Sequence, residues 1–273
     1  MQSENIHENL AVLGFGNMGQ AIVKGLLRKE IFKPSQIFVF DPAEDRKKDA
    51  GNLNVQIVDY AEKLLEDAQS LLIAVKPQII QTALQPMANK IDQQILIISI
   101  AAGISINYYK NLLNKPNLRI VRTMPNAPAL VGEGITGISL SADCTEQDKS
   151  WVQRIFQSIG EMVFVPEEQI DIITAISGSG PAYFYYLCEG MIESGKSLGL
   201  SDEIALSLVQ QTLYGSGALL VKEKKLPQEL RARVTSKGGT TEAAIQTMET
   251  KDLKSIVNEA IYSAFQRARE LGK

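Results

Sequence analysis

A glycine-rich segment near the start of the chain has the spacing of a phosphate-binding turn. Gly14, Gly16 and Gly19 form the pattern GxGxxG between the apolar run AVLG and the helix-like stretch QAIVKGLL. In this context the first glycine permits a tight turn, the second lets a pyrophosphate approach the backbone, and the third lets the helix pack against the strand. The free N–H groups at the start of the helix attract phosphate oxygens. The segment therefore predicts a dinucleotide site.

An acidic residue and a basic cluster give opposite indications about which dinucleotide binds. Asp41 ends the run IFVFD, 22 residues after Gly19. A carboxylate there accepts hydrogen bonds from the adenosine ribose and repels a 2′-phosphate. Arg46, with Lys47 and Lys48 beside it, could instead neutralise a 2′-phosphate, although the three residues equally fit a solvated helix face. Both NADP(H) and NAD(H) stay open as cofactors.

Three short loops of small residues and prolines each follow a predicted strand. They are Ala74-Val75-Lys76-Pro77, Ala101-Ala102-Gly103 and Met124-Pro125-Asn126. Ligands of open α/β sheets bind outside the carboxyl ends of the strands, and small residues there let a flat nicotinamide ring approach. Ordinary turns use the same residue types, but together the three loops predict one wall of a pocket.

Two segments in the second half of the chain combine hydroxyl groups and glycines before a predicted helix. They are Ser177-Gly178-Ser179-Gly180-Pro181 and Thr235-Ser236-Lys237-Gly238-Gly239-Thr240-Thr241. Such a combination makes an anion-binding nest that suits a carboxylate. Serine and threonine are also ordinary helix caps. The occurrence of two such segments favours a substrate site.

The charge balance indicates a small-molecule partner. In 273 residues, 28 lysines and arginines face 31 aspartates and glutamates, for a net charge of -3, so no basic field exists to gather nucleic acid or anionic lipid. The longest apolar run, Ile95 to Ile106, is interrupted by serines and far too short to cross a bilayer. We therefore expect neither a nucleic-acid nor a membrane partner.

The few cysteines and the single histidine limit the chemistry further. Cys144 and Cys188 are far apart and belong to no CxxC or Cys/His cluster, so neither a disulfide framework nor a metal site is predicted. His7 lies in the polar leader MQSENIHENL, which does not resemble a secretory signal. We expect a cytoplasmic protein whose mechanism uses no histidine base.

The elements that must position these residues change character near the middle of the chain. Short β-rich runs separated by helical stretches predict βαβ units and a parallel sheet with helices on both faces. Eight strands are predicted, over residues 10–14, 37–41, 55–58, 71–75, 95–100, 119–124, 135–140 and 161–165, with a helix around Trp151 before the last. Helices are predicted over residues 170–176, 181–198, 202–222, 229–233, 241–248 and 252–271.

The predicted fold is thus an α/β Rossmann-type doubly wound sheet followed by an all-α domain. We place a dinucleotide-binding domain at residues 1–165 and a helical dimerisation and substrate domain at residues 166–273. Pro181 and Ser201 suit the starts of their helices, as a first-turn proline and an N-cap. The helix after Pro181 is apolar around most of its circumference, so its burial is expected to involve another subunit.

Six motifs in their order and spacing closely resemble the pyrroline-5-carboxylate reductase family. They are GFGNMG, AVKP, SIAAG, MPN, SGSGPAY and TSKGGTT, and the resemblance runs from about Leu10 to Leu271. It implies an oxidoreductase that transfers hydride from NAD(P)H to the C=N bond of 1-pyrroline-5-carboxylate, the last step of proline biosynthesis. It also implies a homodimer interlocked through the helical domain, and a decamer of five such dimers is the larger assembly that the family often forms.

The resemblance also implies roles for individual residues. Thr241 would be the catalytic residue, with its hydroxyl facing the imine nitrogen, and the backbone amides of 238–241 would hold the substrate carboxylate. Substrate-binding positions are Glu167, Ser236, Gly238, Gly239, Thr240, Thr241, Met124, Pro125, Asn126 and Ser179. Cofactor-binding positions are Gly14, Phe15, Gly16, Asn17, Met18, Gly19, Asp41, Ala74, Val75, Lys76, Pro77 and Ala102.

Three departures from the family pattern and two alternative functions stay open. Lys237 stands where proline is common, Ala61 replaces a usual asparagine, and Arg233 occupies a position that is often uncharged. One alternative is a β-hydroxyacid dehydrogenase, although its catalytic lysine would be Lys196, which has Leu200 where that family has asparagine. The other is a non-catalytic dinucleotide-binding paralogue of the sensor or competence type.

Overall fold

The computed structural model of the protein describes residues 8–272. The expectations about the leader and His7 concern residues outside this range. The described chain forms two compact units, one ending at Ser179 but including the segment from Ala264 onward, and the other spanning Gly180–Ser263. The division predicted after Val165 stays a prediction about domains.

One sheet of eight strands organises the first unit, in the order β3-β2-β1-β4-β5-β6-β7-β8. The strands are β1 (Leu10–Leu13), β2 (Ile37–Phe40), β3 (Gln56–Ile57), β4 (Ser70–Ile73), β5 (Leu96–Ser99), β6 (Ile120–Met124), β7 (Gly134–Leu140) and β8 (Gly160–Phe164). The eight strands and their doubly wound order confirm the predicted fold class.

The predicted parallel sheet contains one antiparallel pair, in which β7 runs opposite to β6. A parallel return needs a crossover of a dozen or more residues, usually through a helix. Only residues 125–133 connect these two strands, and they hold a short 3₁₀ helix at Ala127–Val131. β8 then pairs with β7 in parallel, after the crossover through a long helix.

The helices of the chain match the predicted pattern except at one place. They are α1 (Asn17–Arg28), α2 (Glu44–Gly51), α3 (Ile80–Leu84), α4 (Ile106–Leu112), α5 (Glu146–Gln157), α6 (Ile170–Ile173), α7 (Gly180–Ser197), α8 (Asp202–Glu223), α9 (Pro227–Arg233), α10 (Thr240–Thr250) and α11 (Leu253–Leu271). The predicted helix over 170–176 is interrupted, since α6 continues as a π-helix at Thr174–Gly178.

Two apolar cores, one on each face of the sheet, explain why the short strands form. All residues of β1, β4 and β5 are buried, and their side chains alternate between the two faces. One core includes residues of α1 and α5, among them Ile22 and Trp151, and the other includes Tyr109 of α4. Burial on both faces is what a continuous apolar run requires of a strand.

The second unit is helical and exposes much of its apolar surface. The Ser201 hydroxyl accepts a hydrogen bond from the Ile204 N–H and caps α8, and Pro181 lies in the first turn of α7; both were predicted. Among residues 8–272, α8 alone is long and apolar enough to span a membrane, with a mean hydropathy of 1.3 over 18 residues, of which 11% are buried. A helix face that another chain covers would pass the same test.

Candidate functional site

The glycine turn of the first unit has the geometry that the sequence predicts. Gly14 has a φ of +92°, and a Cβ there would lie 2.7 Å from Val75 Cγ1. A Cβ on Gly19 would lie 2.9 Å from the Gly14 carbonyl oxygen, so α1 packs directly on the turn. Gly16 caps α1 without a side-chain hydrogen bond and has open space around its Cβ position. The first N–H groups of α1 are therefore accessible to an anion.

Asp41 is bonded to the glycine turn itself. One carboxylate oxygen accepts a hydrogen bond from the Phe15 N–H at 2.7 Å, and the other accepts one from the Ala43 N–H at 3.0 Å. Sequence reasoning missed this role, because it treated the carboxylate only as a ribose ligand. The carboxylate thus helps to hold the predicted phosphate turn in shape.

The neighbouring basic cluster is largely compensated by acidic side chains. Arg46 lies 3.7 Å from Asp45 and 3.5 Å from Asp49. Lys47 forms a 2.6 Å hydrogen bond with Glu44, and this bond raises the pKa of Lys47. The cluster therefore offers less free positive charge to a 2′-phosphate than its sequence suggests.

The loop after β4 lies against the glycine turn. The Ala74 N–H donates to the Leu13 carbonyl, and the Ala74 Cβ lies 3.3 Å from the position a Cβ would take on Gly19. Lys76 precedes a 3₁₀ turn that begins at Pro77. The structure thus places the predicted loop 74–77 beside the predicted phosphate turn.

The loop after β5 is fixed from two sides. Ser99 Oγ lies 2.6 Å from the Tyr109 hydroxyl and accepts a hydrogen bond from the Ala101 N–H. Tyr109 is fully buried, and this burial raises the pKa of its hydroxyl. Gly103, with a φ of +79°, leaves no room for a Cβ, which would lie 2.9 Å from the Ala268 carbonyl oxygen at the end of α11. Ala102 therefore lies in a rigid loop.

The loop after β6 contacts the π-helical segment. A Cβ on Gly178 would lie 2.5 Å from Met124 Cε, so the methionine side chain packs directly against this glycine. The Asn126 side chain is buried and accepts a hydrogen bond from the Ile135 N–H at 2.9 Å, which ties the loop to β7. The Ser179 N–H donates to the Thr174 carbonyl and closes the π-turn. Met124 and the predicted substrate residue Ser179 thus belong to neighbouring segments.

Glu167 contacts a buried arginine, Arg122, which sequence reasoning did not identify as part of a site. Its carboxylate accepts a hydrogen bond from the Ile106 N–H at 2.7 Å and lies 3.5 Å from Arg122 Nη1. Arg122 also donates a short hydrogen bond to Asp171. The signal in the sequence was a lone charged residue in the apolar strand IVRTM.

The TSKGGTT loop of the second unit forms a tight turn before α10. Gly238 has a φ of +72°, which favours glycine, and the Gly239 N–H donates to the Ser236 carbonyl at 3.0 Å. Gly239 caps α10 with no side-chain hydrogen bond, and Thr240 and Thr241 begin the helix. The backbone of the predicted carboxylate nest is therefore present.

One amide of that nest already has an acidic partner. The Gly238 N–H donates to the Glu242 carboxylate at 2.7 Å. Glu242 is the third residue after the helix cap, the position from which an acidic side chain commonly reaches back to free N–H groups. The spacing of Gly239 and Glu242 could have revealed this contact in the sequence.

The departures from the family pattern have simple local surroundings. Arg233 forms a 2.6 Å ion pair with Glu223, and Ala61 is buried in the apolar core that contains Tyr109. Lys237 is exposed.

Burial raises the pKa of the Cys144 thiol, so this cysteine is poorly suited to act as a nucleophile.

The sheet order, the glycine turn and the open start of α1 define a dinucleotide-binding protein of the oxidoreductase type. A family model described as NADP oxidoreductase, coenzyme F420-dependent, matches residues 9–103. A second, described as pyrroline-5-carboxylate reductase dimerisation, matches residues 167–271.

Full-length relatives assign the family. A pyrroline-5-carboxylate reductase of Pseudomonas aeruginosa is 37% identical over 266 residues, 97% of each chain. The solved structure of such a reductase from Coxiella burnetii has a TM-score of 0.90 and 32% identity, covering 98% of this chain and 99% of the other. That of a Plasmodium falciparum pyrroline carboxylate reductase with NADP bound has a TM-score of 0.88 and 31% identity, covering 97% and 98%.

The chain belongs to the pyrroline-5-carboxylate reductase family. This membership confirms the resemblance that the six motifs predicted. It also removes the alternative of a β-hydroxyacid dehydrogenase. Lys196, on which that alternative depended, forms a 3.0 Å ion pair with Asp202.

Proposed function

We propose that this chain reduces 1-pyrroline-5-carboxylate to proline with NADPH or NADH. The observation that carries the proposal is family membership over 97% of the chain, at 37% identity to a reductase of that name. The Plasmodium falciparum relative is described with NADP bound, which supports NADP(H) as the cofactor, and NAD(H) stays in the proposal on the strength of Asp41 alone.

The residues of the first unit fit such a cofactor. The open N-terminus of α1 at Gly16 would take the pyrophosphate, since no side chain occupies it. Asp41, the loop 74–77 and Ala102 would contact the rest of the molecule. When bound, the reduced nicotinamide supplies the hydride.

The substrate loop would act by positioning and hydrogen bonding. Hydride would add to the imine carbon and the C=N π electrons would move to nitrogen, which takes its protons from solvent and ends as an ammonium group. A protonated or hydrogen-bonded imine accepts hydride without a metal or a histidine base. The Thr241 hydroxyl, in the first turn of α10, would donate to the imine nitrogen, and the amides of 238–241 would hold the carboxylate.

We include a homodimer in the proposal. The family model that covers residues 167–271 is named for dimerisation. Exposed apolar side chains on α7 and α8, such as Tyr186, Leu208 and Leu219, supply a surface for a second copy. A decamer of five dimers and a cytoplasmic location belong to the proposal only as expectations from the sequence.

The test is the absorbance at 340 nm of purified protein with pyrroline-5-carboxylate and either NADPH or NADH. We expect the absorbance to fall and proline to appear in equimolar amount by amino-acid analysis. Binding of the dinucleotide without oxidation would reject the proposal in favour of the non-catalytic sensor.

A further inference from the structure

A buried ion cluster in the first unit contains Glu167, which the family resemblance assigns to the substrate. Arg122 lies in the middle of β6 and is 4% exposed. Its guanidinium bonds to Asp171 and lies 3.5 Å from Glu167, while its Nε has no hydrogen-bond partner among the described residues. Burial of a charge costs free energy unless it is paired, so two acidic partners account for its presence.

Glu167 connects this cluster to the cofactor-facing loop. Its carboxylate accepts the Ile106 N–H, and Ile106 is the first residue of α4. The N-cap, Ser105, satisfies the Tyr108 N–H, so the two side chains divide the free donors of the α4 N-terminus between them. The segment before this helix contains Ala102 and Gly103. Glu167 therefore fixes the end of the loop that the sequence assigns to the cofactor.

Asp171 connects the same cluster to the SGSG segment. It lies on α6, which contacts β6 and β7 and continues into the π-helical segment Thr174–Gly178. Asp171 bonds to Arg122, Ile173 packs on Gly137, and Gly178 of the π-helical segment packs on Met124. A Cβ on Gly137 would lie 2.6 Å from Ile173 Cδ1, so this packing is tight. The arginine thus fixes where Ser177–Ser179 lie on the sheet.

We infer that Arg122, Glu167 and Asp171 are positioning residues that hold the 101–105 loop and the 177–179 segment in one arrangement. Glu167 then acts on the reaction through Ile106 and Arg122, and does not bind the substrate. The inference rests on the proposed function for its effect on turnover, but its effect on cofactor binding is independent of any imine.

The test compares Glu167→Ala and Glu167→Gln with the matched control Glu168→Ala, whose side chain is exposed. Dissociation constants for NADPH are measured by fluorescence without imine, and kcat is measured with pyrroline-5-carboxylate. We expect Glu167→Ala to weaken NADPH binding at least about fivefold and to lower kcat about tenfold, because the Ile106 N–H loses its acceptor. Glu167→Gln keeps an acceptor oxygen, so its NADPH affinity should stay within about threefold of wild type.

Two outcomes would overturn the inference. One is an unchanged NADPH affinity in Glu167→Ala. The other is an equal loss of kcat in the Ala and Gln variants together with a lost limb of the pH profile, which would make Glu167 a proton donor to the substrate. A wild-type protein that binds NADPH but reduces no imine would reject the proposed function, while the affinity comparison would still decide the inference.

Asp171→Asn tests the second contact of Arg122, the one that leads to the 177–179 segment. Arg122 itself is kept, because loss of a buried arginine risks unfolding. We expect its kcat to fall and the double variant with Glu167→Ala to be non-additive, since both residues contact one guanidinium. Thermal unfolding of each variant checks that the folded state persists at the assay temperature. Additive effects on kcat would show that the two carboxylates act separately and would overturn the shared positioning role.

Discussion

The central strands of the sheet and the helices α7 and α8 are both rich in apolar residues, but their side chains differ in burial. Every residue of β1, β4 and β5 is buried within the first unit. In α7 only Gly180 is buried, and in α8 only Ala205 and Val209 are. The first unit closes its own core, whereas the second needs a surface from outside itself. Apolar content is high in both parts, and it was the distribution of apolar residues around most of α7 that predicted a covering surface from another subunit.

The comparison predicts that charge on α8 separates the subunits. Ile204, Leu208 and Leu219 lie on one side of this helix and are exposed. In Leu208→Asp/Leu219→Asp we expect the dimer dissociation constant to rise at least about a thousandfold, because apolar burial is lost and charge would be buried. Sedimentation velocity measures this, with Gln210→Glu on another side of α8 as control. A double variant that stays dimeric would place the interface elsewhere.

Thr241→Ala probes the substrate loop of the second unit without touching its apolar surface. If the hydroxyl donates to the imine nitrogen in the transition state, kcat should fall about tenfold to a hundredfold, the worth of one such hydrogen bond. NADPH affinity should be unchanged. Thr247→Ala, at an exposed threonine further along α10, is the matched control. Steady-state kinetics decide the matter, and an unaltered kcat would remove Thr241 from the mechanism.

Asp41→Asn tests the cofactor side in the first unit. Removal of the carboxylate charge should shift the ratio of kcat/KM for NADPH over NADH about tenfold toward NADPH, because repulsion of a 2′-phosphate disappears. The asparagine oxygen still accepts the Phe15 or the Ala43 N–H, so the turn keeps one of its two bonds. Asp45→Asn, at an exposed carboxylate near Arg46, provides the control. If the ratio of kcat/KM changed equally in Asp41→Asn and Asp45→Asn, the cause would be the change in net charge near the site and not Asp41 itself.

Tyr109→Phe should lower the stability of the first unit by an amount that does not depend on protein concentration. The variant loses the hydrogen bond to Ser99 at a fully buried site, which should lower the free energy of unfolding by about 1 kcal/mol. Denaturant unfolding at several protein concentrations measures it, with Tyr108→Phe as the neighbouring control. A loss that grows on dilution would mean that the first unit also depends on the partner.

Glu242→Ala should have the smallest effect, and it should improve substrate binding where the other substitutions weaken a function or an interaction. The Glu242 carboxylate occupies the Gly238 N–H that a substrate carboxylate would need. Its removal should lower KM for the imine about twofold to fivefold, since like charges at one helix N-terminus compete. Glu249→Ala, near the other end of α10, is the control. A raised KM would show that Glu242 supports the loop and does not compete with the substrate.

The sequence predicted the elements well and their contacts poorly, for physical reasons. Short apolar runs bounded by turns locate all eight strands within one or two residues, because burial on both faces demands such runs. The antiparallel direction of β7 follows from its short connection to β6, residues 125–133, which is too short for a parallel crossover. The Asp41–Phe15 bond and the Arg122 cluster depend on which segments meet in space. A single sequence gives no direct measure of that.

The bond between Asp41 and Phe15 has a consequence for the speed of cofactor binding. Phe15 is fully buried, and the Gly14 N–H donates to the Phe40 carbonyl at 2.8 Å, so bonds within the protein itself hold the turn in shape. A binding loop that is already ordered loses little conformational entropy when a ligand arrives. Association should therefore follow a single bimolecular phase in stopped-flow fluorescence, with a rate linear in dinucleotide concentration and no slower step for loop closure.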